Sequence, residues 1–198
     1  ASICMRHLSL VKSLSHLREE QKHSEEVLLD AVGLALTRGT LSEFVGDAST
    51  GRTSLVLNLL SQLTALGEVC AVVDSCDGFD PRSAALAGVV LDNLLWVRCG
   101  GDLNLGGLPT QKLRMVPRTY WYRYRTRIKE TPTLFVVTAE EPVAGSASHQ
   151  SFELTRRDTV WSGLGRYKLL REFHLGLHSR KHFSGPQTTA RIEFDYSD

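Results

Sequence analysis

No apolar run in these 198 residues approaches the roughly 18 residues of a membrane-spanning helix, so the chain is not expected to be an integral membrane protein. Residues 1–17 carry His7, Lys12 and His16 where a signal peptide needs an unbroken apolar stretch, and a cytoplasmic location is expected. The four cysteines, Cys4, Cys70, Cys76 and Cys99, show no Cys-x-x-Cys spacing. They read as free thiols in a reduced compartment rather than a metal or disulfide framework. Excess charge is missing too. The formal net charge is +1, so any nucleic-acid contact must come from a local patch. Apolar residues are not scarce: at 42% they exclude a disordered chain, and the length suits one α/β domain with a sizeable core.

The most informative stretch is Leu41 to Leu60. A short apolar strand (Leu41, Phe44, Val45) runs into Gly46-Asp47-Ala48-Ser49-Thr50-Gly51-Arg52-Thr53 and then an apolar helix. This is the spacing of a phosphate-binding loop, G-x-x-x-x-G-K-[ST], with Arg52 in place of the lysine. Such loops aim successive backbone N–H groups and a helix N-terminus at phosphate oxygens. The lysine adds a slim point charge, which the broad guanidinium fork does not reproduce. Two readings follow. Gly46, Gly51, Arg52 and Thr53 still hold a phosphate or sulfate on the backbone nest, or the loop is merely an inherited turn; the second is favoured.

Around this centre the periodicity gives the other elements. Residues 3–20 place Ile3, Leu10, Leu14 and Leu17 on one side of an amphipathic helix, which caps the domain or docks on a partner. Glu19 to Glu26 reads as a linker, which divides the chain into a 1–26 arm and a 27–198 core. Val27 to Leu36 is expected to be a second helix. Helices are expected at Thr53–Ala65, ended by Gly67, at Pro81–Gly88 and at Pro117–Lys129. Continuous apolar runs at Glu68–Asp74, Leu94–Cys99 and Thr133–Thr138 suit buried parallel strands. From Ser151 the pattern alternates as strands, in the segments SFELTRR, DTVWSG, YKLLREFHLGLHS and TTARIEFDYS. The expected fold is α/β, with a mostly parallel sheet and an antiparallel C-terminal extension.

One junction breaks this order. Between Leu94–Cys99 and the next strand-like residues near Asp102 lie only two glycines. A parallel crossover needs about a dozen residues. A Cα–Cα step far above 3.80 Å is therefore expected between Cys99 and Leu103, marking absent residues. His174, His178 and His182 stand four apart, but on a strand the first two lie roughly 13 Å apart, so no metal site is assigned.

The stretch Asp74 to Leu95, DSCDGFDPRSAALAGVVLDNLL, together with GTLSEFVGDASTGRTSL, resembles the bacterial RecA recombinases. The resemblance covers Gly39 to Leu95 and continues more weakly to the C-terminal strands. It implies a RecA-like fold, and its departures imply lost chemistry. The family's catalytic glutamate falls on Cys76, its phosphate-loop lysine on Arg52 and its adenine-stacking tyrosine on Ser83. Its polar sensor falls near Ala139, and its second DNA-binding loop shrinks to about Glu140–Ser148. No catalytic residue, no bound cofactor and no ATP hydrolysis are expected.

Shorter motifs resemble the ImuA-like accessories of the bacterial mutagenic translesion machinery. They are Asp102 to Pro109 (DLNLGGLP), Trp121 to Arg125, Val143-Ala144-Gly145-Ser146-Ala147 and Val160-Trp161-Ser162. That resemblance implies a non-catalytic protein binding RecA or an inactive polymerase-like adaptor. Self-association through Leu10, Leu14 and Leu17 is compatible with it. The alternatives are a weak DNA-dependent ATPase on single-stranded DNA and a RecA-related cell-division inhibitor.

Two basic groups remain. Arg118, Arg123, Arg125, Arg127 and Lys129 interleave with Tyr120, Trp121, Tyr122 and Tyr124. This grips single-stranded DNA or a partner, or is a helix packing Trp121, Tyr124 and Ile128 with solvated arginines; packing is favoured. Arg180 and Lys181 stand where the resemblance places two lysines that reach a neighbouring subunit's nucleotide. Without nucleotide they serve a protein interface or DNA, or form a solvated loop; the solvated loop is favoured.

Overall fold

The computed structural model describes residues 25–75, 77–99, 116–163, 169–181 and 188–193. The amphipathic arm with Leu10, Leu14 and Leu17, the step between Cys99 and Leu103, the Asp102–Pro109 motif, Cys4, Cys76 and His182 lie outside the described residues.

The fold is mixed α/β. Strand β3 (Leu41–Val45) is its centre: all five residues are buried, and it pairs in parallel with both β6 (Phe135–Ala139) and β7 (Gln150–Ser162). The sheet continues antiparallel through β8 (Leu169–Ser179) and β9 (Thr188–Glu193), in the order β6-β3-β7-β8-β9. The expected antiparallel extension is thus present. SFELTRR and DTVWSG, read separately in the sequence, form one strand, with register shifts between Arg156 and Thr159 and between Val160 and Trp161. Such bulges bend a strand without ending it. Val160-Trp161-Ser162 closes that strand.

Among the described residues the strands do not form one mostly parallel sheet. Strands β4 (Cys70–Asp74) and β5 (Leu94–Arg98) make their own two-stranded parallel sheet. With the N-terminal hairpin, parallel and antiparallel pairings are equal in number among the described residues.

That hairpin corrects the helix expected at Val27 to Leu36. Strand β1 (Glu26–Leu29) pairs antiparallel with β2 (Leu34–Thr37). The physical reason is a period of two: Val27 and Leu29 are buried while Leu28 between them is 56% exposed. Asp30 to Gly33 makes the turn, with the Val32 N–H on the Leu29 carbonyl at 3.1 Å. Glu26, assigned to the linker by sequence, is the first residue of β1.

Helix α1 (Arg52–Ala65) crosses from β3 to β4. Leu55, Leu59 and Leu63 face Phe44, Phe152, Leu154 and the hairpin's Leu29 and Leu36. Leu60, with Val56 and Leu57 beside it, faces Ala84, Val89 and Val72 of the β4 side. One helix therefore packs on both sheets. It stops where expected: the Gly67 N–H bonds to Thr64 and the Glu68 N–H to Leu63, both at 3.0 Å. Helix α2 (Pro81–Leu86) starts on Asp80, whose side chain accepts from the N–H groups of Arg82 and Ser83. Helix α3 (Arg118–Ile128) covers the other face of the central sheet, where Trp121 packs with Leu41, Val137, Ala144 and Ala147.

The thiol reading has a direct check. Burial, reinforced by the nearby Glu68 carboxylate, pushes the Cys70 thiol up from 9.0 to about 11. At pH 8 its thiolate fraction is then about 100-fold below that of an ordinary thiol, and alkylation requires the thiolate. Peptide-resolved mass spectrometry after iodoacetamide treatment at pH 8 should find Cys70 unmodified while the exposed Cys99 is labelled. Equal labelling of the two would contradict this burial.

Candidate functional site

The loop from Gly46 to Gly51 joins the end of β3 to the start of α1, the strand–turn–helix setting its spacing requires. Gly46 has no room for a side chain. A Cβ there would stand 2.5 Å from the Leu154 carbonyl oxygen and 2.9 Å from the Thr50 hydroxyl. Its N–H donates to the Ala139 carbonyl at 3.2 Å, tying the loop to β6. Gly51 caps the helix with φ 91°, a left-handed geometry that suits glycine. The Gly51 carbonyl accepts from Leu55 at 2.9 Å, and Thr50 is buried with its hydroxyl on the Asp47 carbonyl at 2.8 Å.

A cavity of about 370 Å³ opens over this loop. Besides the loop backbone it is lined by Glu140, Glu153, Thr155 and Arg156. Arg52 is the first residue of α1, and its guanidinium lies 3.9 Å from the Glu140 carboxylate, with its side chain 20% exposed. That distance is an ionic contact and not a hydrogen bond. Thr53, which completes the motif, is exposed. Of the four motif residues Gly46 lines this cavity, while Gly51, Arg52 and Thr53 stand beyond it at the start of α1; among the described residues its wall carries the carboxyl groups of Asp47, Glu140 and Glu153 and the guanidinium of Arg156.

The other departures are also placed. The Ser83 hydroxyl bonds to the Asp80 carboxylate, so it serves the cap of α2. That hydroxyl, followed by the N–H groups of Ser83 and Arg82, holds the Asp80 carboxyl below its ordinary value. Ala139 is buried at the end of β6 and contributes a carbonyl, already taken by Gly46.

Glu43, which the sequence reading passed over, organises the opposite face. It is 1% exposed. One carboxyl oxygen accepts from the N–H groups of Val143 and Ala144 at 2.7 and 2.8 Å, and the other accepts from the Ser151 hydroxyl at 3.1 Å. The segment from Ala139 to His149 is thereby folded onto the sheet. It includes a 3-10 turn at Gly145–Ala147, buried Ala144 and Ala147, and a Tyr122 hydroxyl contact to Ser146. The available signal was a charged residue on the same strand face as buried Leu41 and Val45.

Lys181 donates to the Ser148 carbonyl, and partial burial there lowers its ammonium from the ordinary lysine value. Arg180 is exposed, and its N–H bonds to Ser151. On α3, Trp121 is buried and Tyr124 stacks on Phe135 at 5.6 Å. Arg118, Arg123 and Arg127 are exposed, with Arg123 lying over the Tyr120 ring at 5.4 Å. The packing face is as the spacing required. On β8, the ring of His174 pairs with Glu172 at 2.6 Å.

Fold and site together define a mixed α/β protein with a phosphate-loop-like turn at the end of its central strand. The chain is 36% identical over 90 residues to the Protein RecA of Symbiobacterium thermophilum, covering 44% of this chain and 26% of that protein. It is 37% identical over 82 residues to the Protein RecA of Nostoc punctiforme (41% and 23%) and 38% identical over 66 residues to that of Pseudomonas fluorescens (33% and 19%). These partial matches support a RecA-like relationship. The chain spans 26% or less of the length of these curated relatives. No protein-family model matches it. No helix among the described residues is long and apolar enough to cross a membrane.

Proposed function

We propose that this RecA-like chain is a non-catalytic accessory that works by binding protein partners, and that its phosphate loop has lost nucleotide. The observation carrying the reading is the state of Arg52. The only cation of the loop leans on Glu140, and the wall beside it holds more carboxyl groups than guanidinium groups. A triphosphate entering that cavity meets like charge in place of a lysine ammonium. Cys76 at the family's glutamate position offers no carboxylate to orient a water.

The finer reading is an ImuA-type role in error-prone synthesis past DNA lesions, with RecA or an inactive polymerase-like adaptor as partner. It rests on the short motifs at Trp121–Arg125, Val143–Ala147 and Val160–Ser162. The exposed Arg118, Arg123 and Arg127, with Arg180 and Lys181, are the candidate contacts. Immobilised protein should retain RecA from solution without ATP, and replacing Arg118, Arg123 and Arg127 by Glu should reduce that retention at least tenfold. No retention at all, by the native chain or its variants, would remove RecA as the partner.

A further inference from the structure

The sequence holds one Asp-Gly pair, Asp77-Gly78, and no Asn-Gly pair. Asp-Gly is the aspartyl dipeptide at which a backbone most readily rearranges without an enzyme. The glycine amide nitrogen attacks Cγ of the aspartate. The nitrogen's proton and the hydroxyl of the protonated carboxyl leave as water, and a five-membered succinimide closes. Water then opens the ring. Entry at Cγ restores aspartate, while entry at the main-chain carbonyl carbon leaves the chain running through Cγ, which is isoaspartate. One water leaves and one returns, so nothing is oxidised and the mass is unchanged. Glycine is the favoured successor because no Cβ blocks the approach to its nitrogen.

In this fold both reacting groups are engaged elsewhere. Asp77 stands between β4 and α2 with φ 56°, a left-handed geometry that aspartate tolerates better than most residues. Arg98, the last residue of β5, takes both carboxyl oxygens: Nε donates to one at 2.8 Å and Nη2 to the other at 2.7 Å. This bidentate pairing holds the Asp77 carboxyl below its ordinary value, away from the protonated form that loses water. The guanidinium is itself seated over the Trp96 ring at 5.0 Å, and Trp96 packs on Phe79 at 5.5 Å. The Gly78 N–H, whose nitrogen must attack, donates to the Asp74 carboxylate at 3.1 Å. The Phe79 N–H donates to the other Asp74 oxygen at 2.9 Å. The loop is thus fixed from the ends of both β4 and β5.

We propose that Asp77-Gly78 is a site of isoaspartate formation that Arg98 and Asp74 hold closed, and that loss of the Arg98 clamp opens it. The step needs no nucleotide and no protein partner, so it stands apart from the accessory reading. Its product carries one extra carbon in the main chain, three residues ahead of Asp80, the cap of α2. The carboxyl group it frees is the one that an isoaspartyl methyltransferase esterifies from S-adenosylmethionine. The Arg98 and Asp77 side chains are 56% and 40% exposed. An ion pair so placed contributes little to stability, so the clamp can be removed without unfolding the chain.

The test incubates five samples in warm neutral buffer with a thiol reductant: the 198-residue protein, Arg98→Ala, Arg98→Lys, Arg98→Ala with Gly78→Ala, and a synthetic peptide of residues 73–82. Isoaspartate is counted by methyl transfer from labelled S-adenosylmethionine and located by peptide mass spectrometry with electron-transfer fragmentation. The native chain should convert at least tenfold more slowly than the peptide. Arg98→Ala should raise conversion at Asp77 at least fivefold with an unchanged thermal midpoint. Arg98→Lys, which keeps the charge but not the fork, should raise it less. Adding Gly78→Ala should return the rate to the native level, because a Cβ there meets nothing within 4 Å of the fold yet crowds the attacking nitrogen. Three results would overturn the proposal: native conversion at the peptide's rate, no rise in Arg98→Ala, or a rise at other aspartates as large as that at Asp77.

Discussion

Replacing Glu43 by Ala should destabilise the protein by about 3 kcal/mol, from the 1–3 kcal/mol cost of each buried donor left without a partner. Two backbone N–H groups, those of Val143 and Ala144, and the Ser151 hydroxyl all end on this one carboxyl group. Alanine supplies no acceptor, and a site 1% exposed gives water little access. For a chain of this size the thermal midpoint should fall by roughly 6–12 °C. Glu43→Gln keeps an acceptor oxygen for both N–H groups and can donate to the Ser151 hydroxyl, so it should cost about half as much or less. Urea unfolding of the two variants measures the difference. An alanine variant within about 1 kcal/mol of the native protein would mean that Glu43 does not hold the Val143–Ser148 segment.

Arg38→Ala should be comparably costly, about 3 kcal/mol, because breaking a largely buried ion pair strands the remaining charge. The Arg38 side chain is 9% exposed and that of Glu68 16%. The lost group also holds the Pro132 carbonyl, so the hairpin, β4 and β6 lose a common tie. Replacing the pair together, Arg38→Met with Glu68→Leu, should recover most of the loss. A double-mutant cycle reads the coupling directly. A coupling below about 0.5 kcal/mol would reduce this contact to a surface ion pair.

Elements with one dominant signal were legible in the sequence. Helix α1 has Leu55, Leu59 and Leu63 at helical spacing and a glycine stop, and the structure places it within a residue of expectation. Strands β3, β4, β5 and β6 are apolar runs of strand length. The hairpin was misread because Val27, Leu29, Val32 and Leu36 suit three- and four-residue spacing as well as alternation. Asp30 and Gly33 at the turn decide for strands, and a short apolar run does not reveal its period by itself. The sheet's division was not legible, since strand neighbours depend on contacts far apart in sequence. Nor was Glu43, whose role requires the backbone of Val143 and Ala144, a hundred residues on.

The site was legible in its spacing but not in its electrostatics. Gly46, Gly51, Arg52 and Thr53 were readable as a motif with one wrong residue. That Glu140 leans on Arg52, and that Glu153 and Arg156 share the cavity wall, depends on how β6 and β7 flank β3. Arg180 and Lys181 likewise gained a setting only from the fold, with Lys181 on the Ser148 carbonyl of the segment that Glu43 pins.

The central claim is that the loop no longer serves nucleotide, and equilibrium binding of a fluorescent ATP analogue with magnesium tests it most directly. The account expects no saturable binding up to millimolar nucleotide, with or without single-stranded DNA, for the native chain and for Arg52→Ala alike. Saturable micromolar binding at one site per chain, abolished by Arg52→Ala and accompanied by DNA-stimulated turnover, would contradict it and establish a RecA-like ATPase.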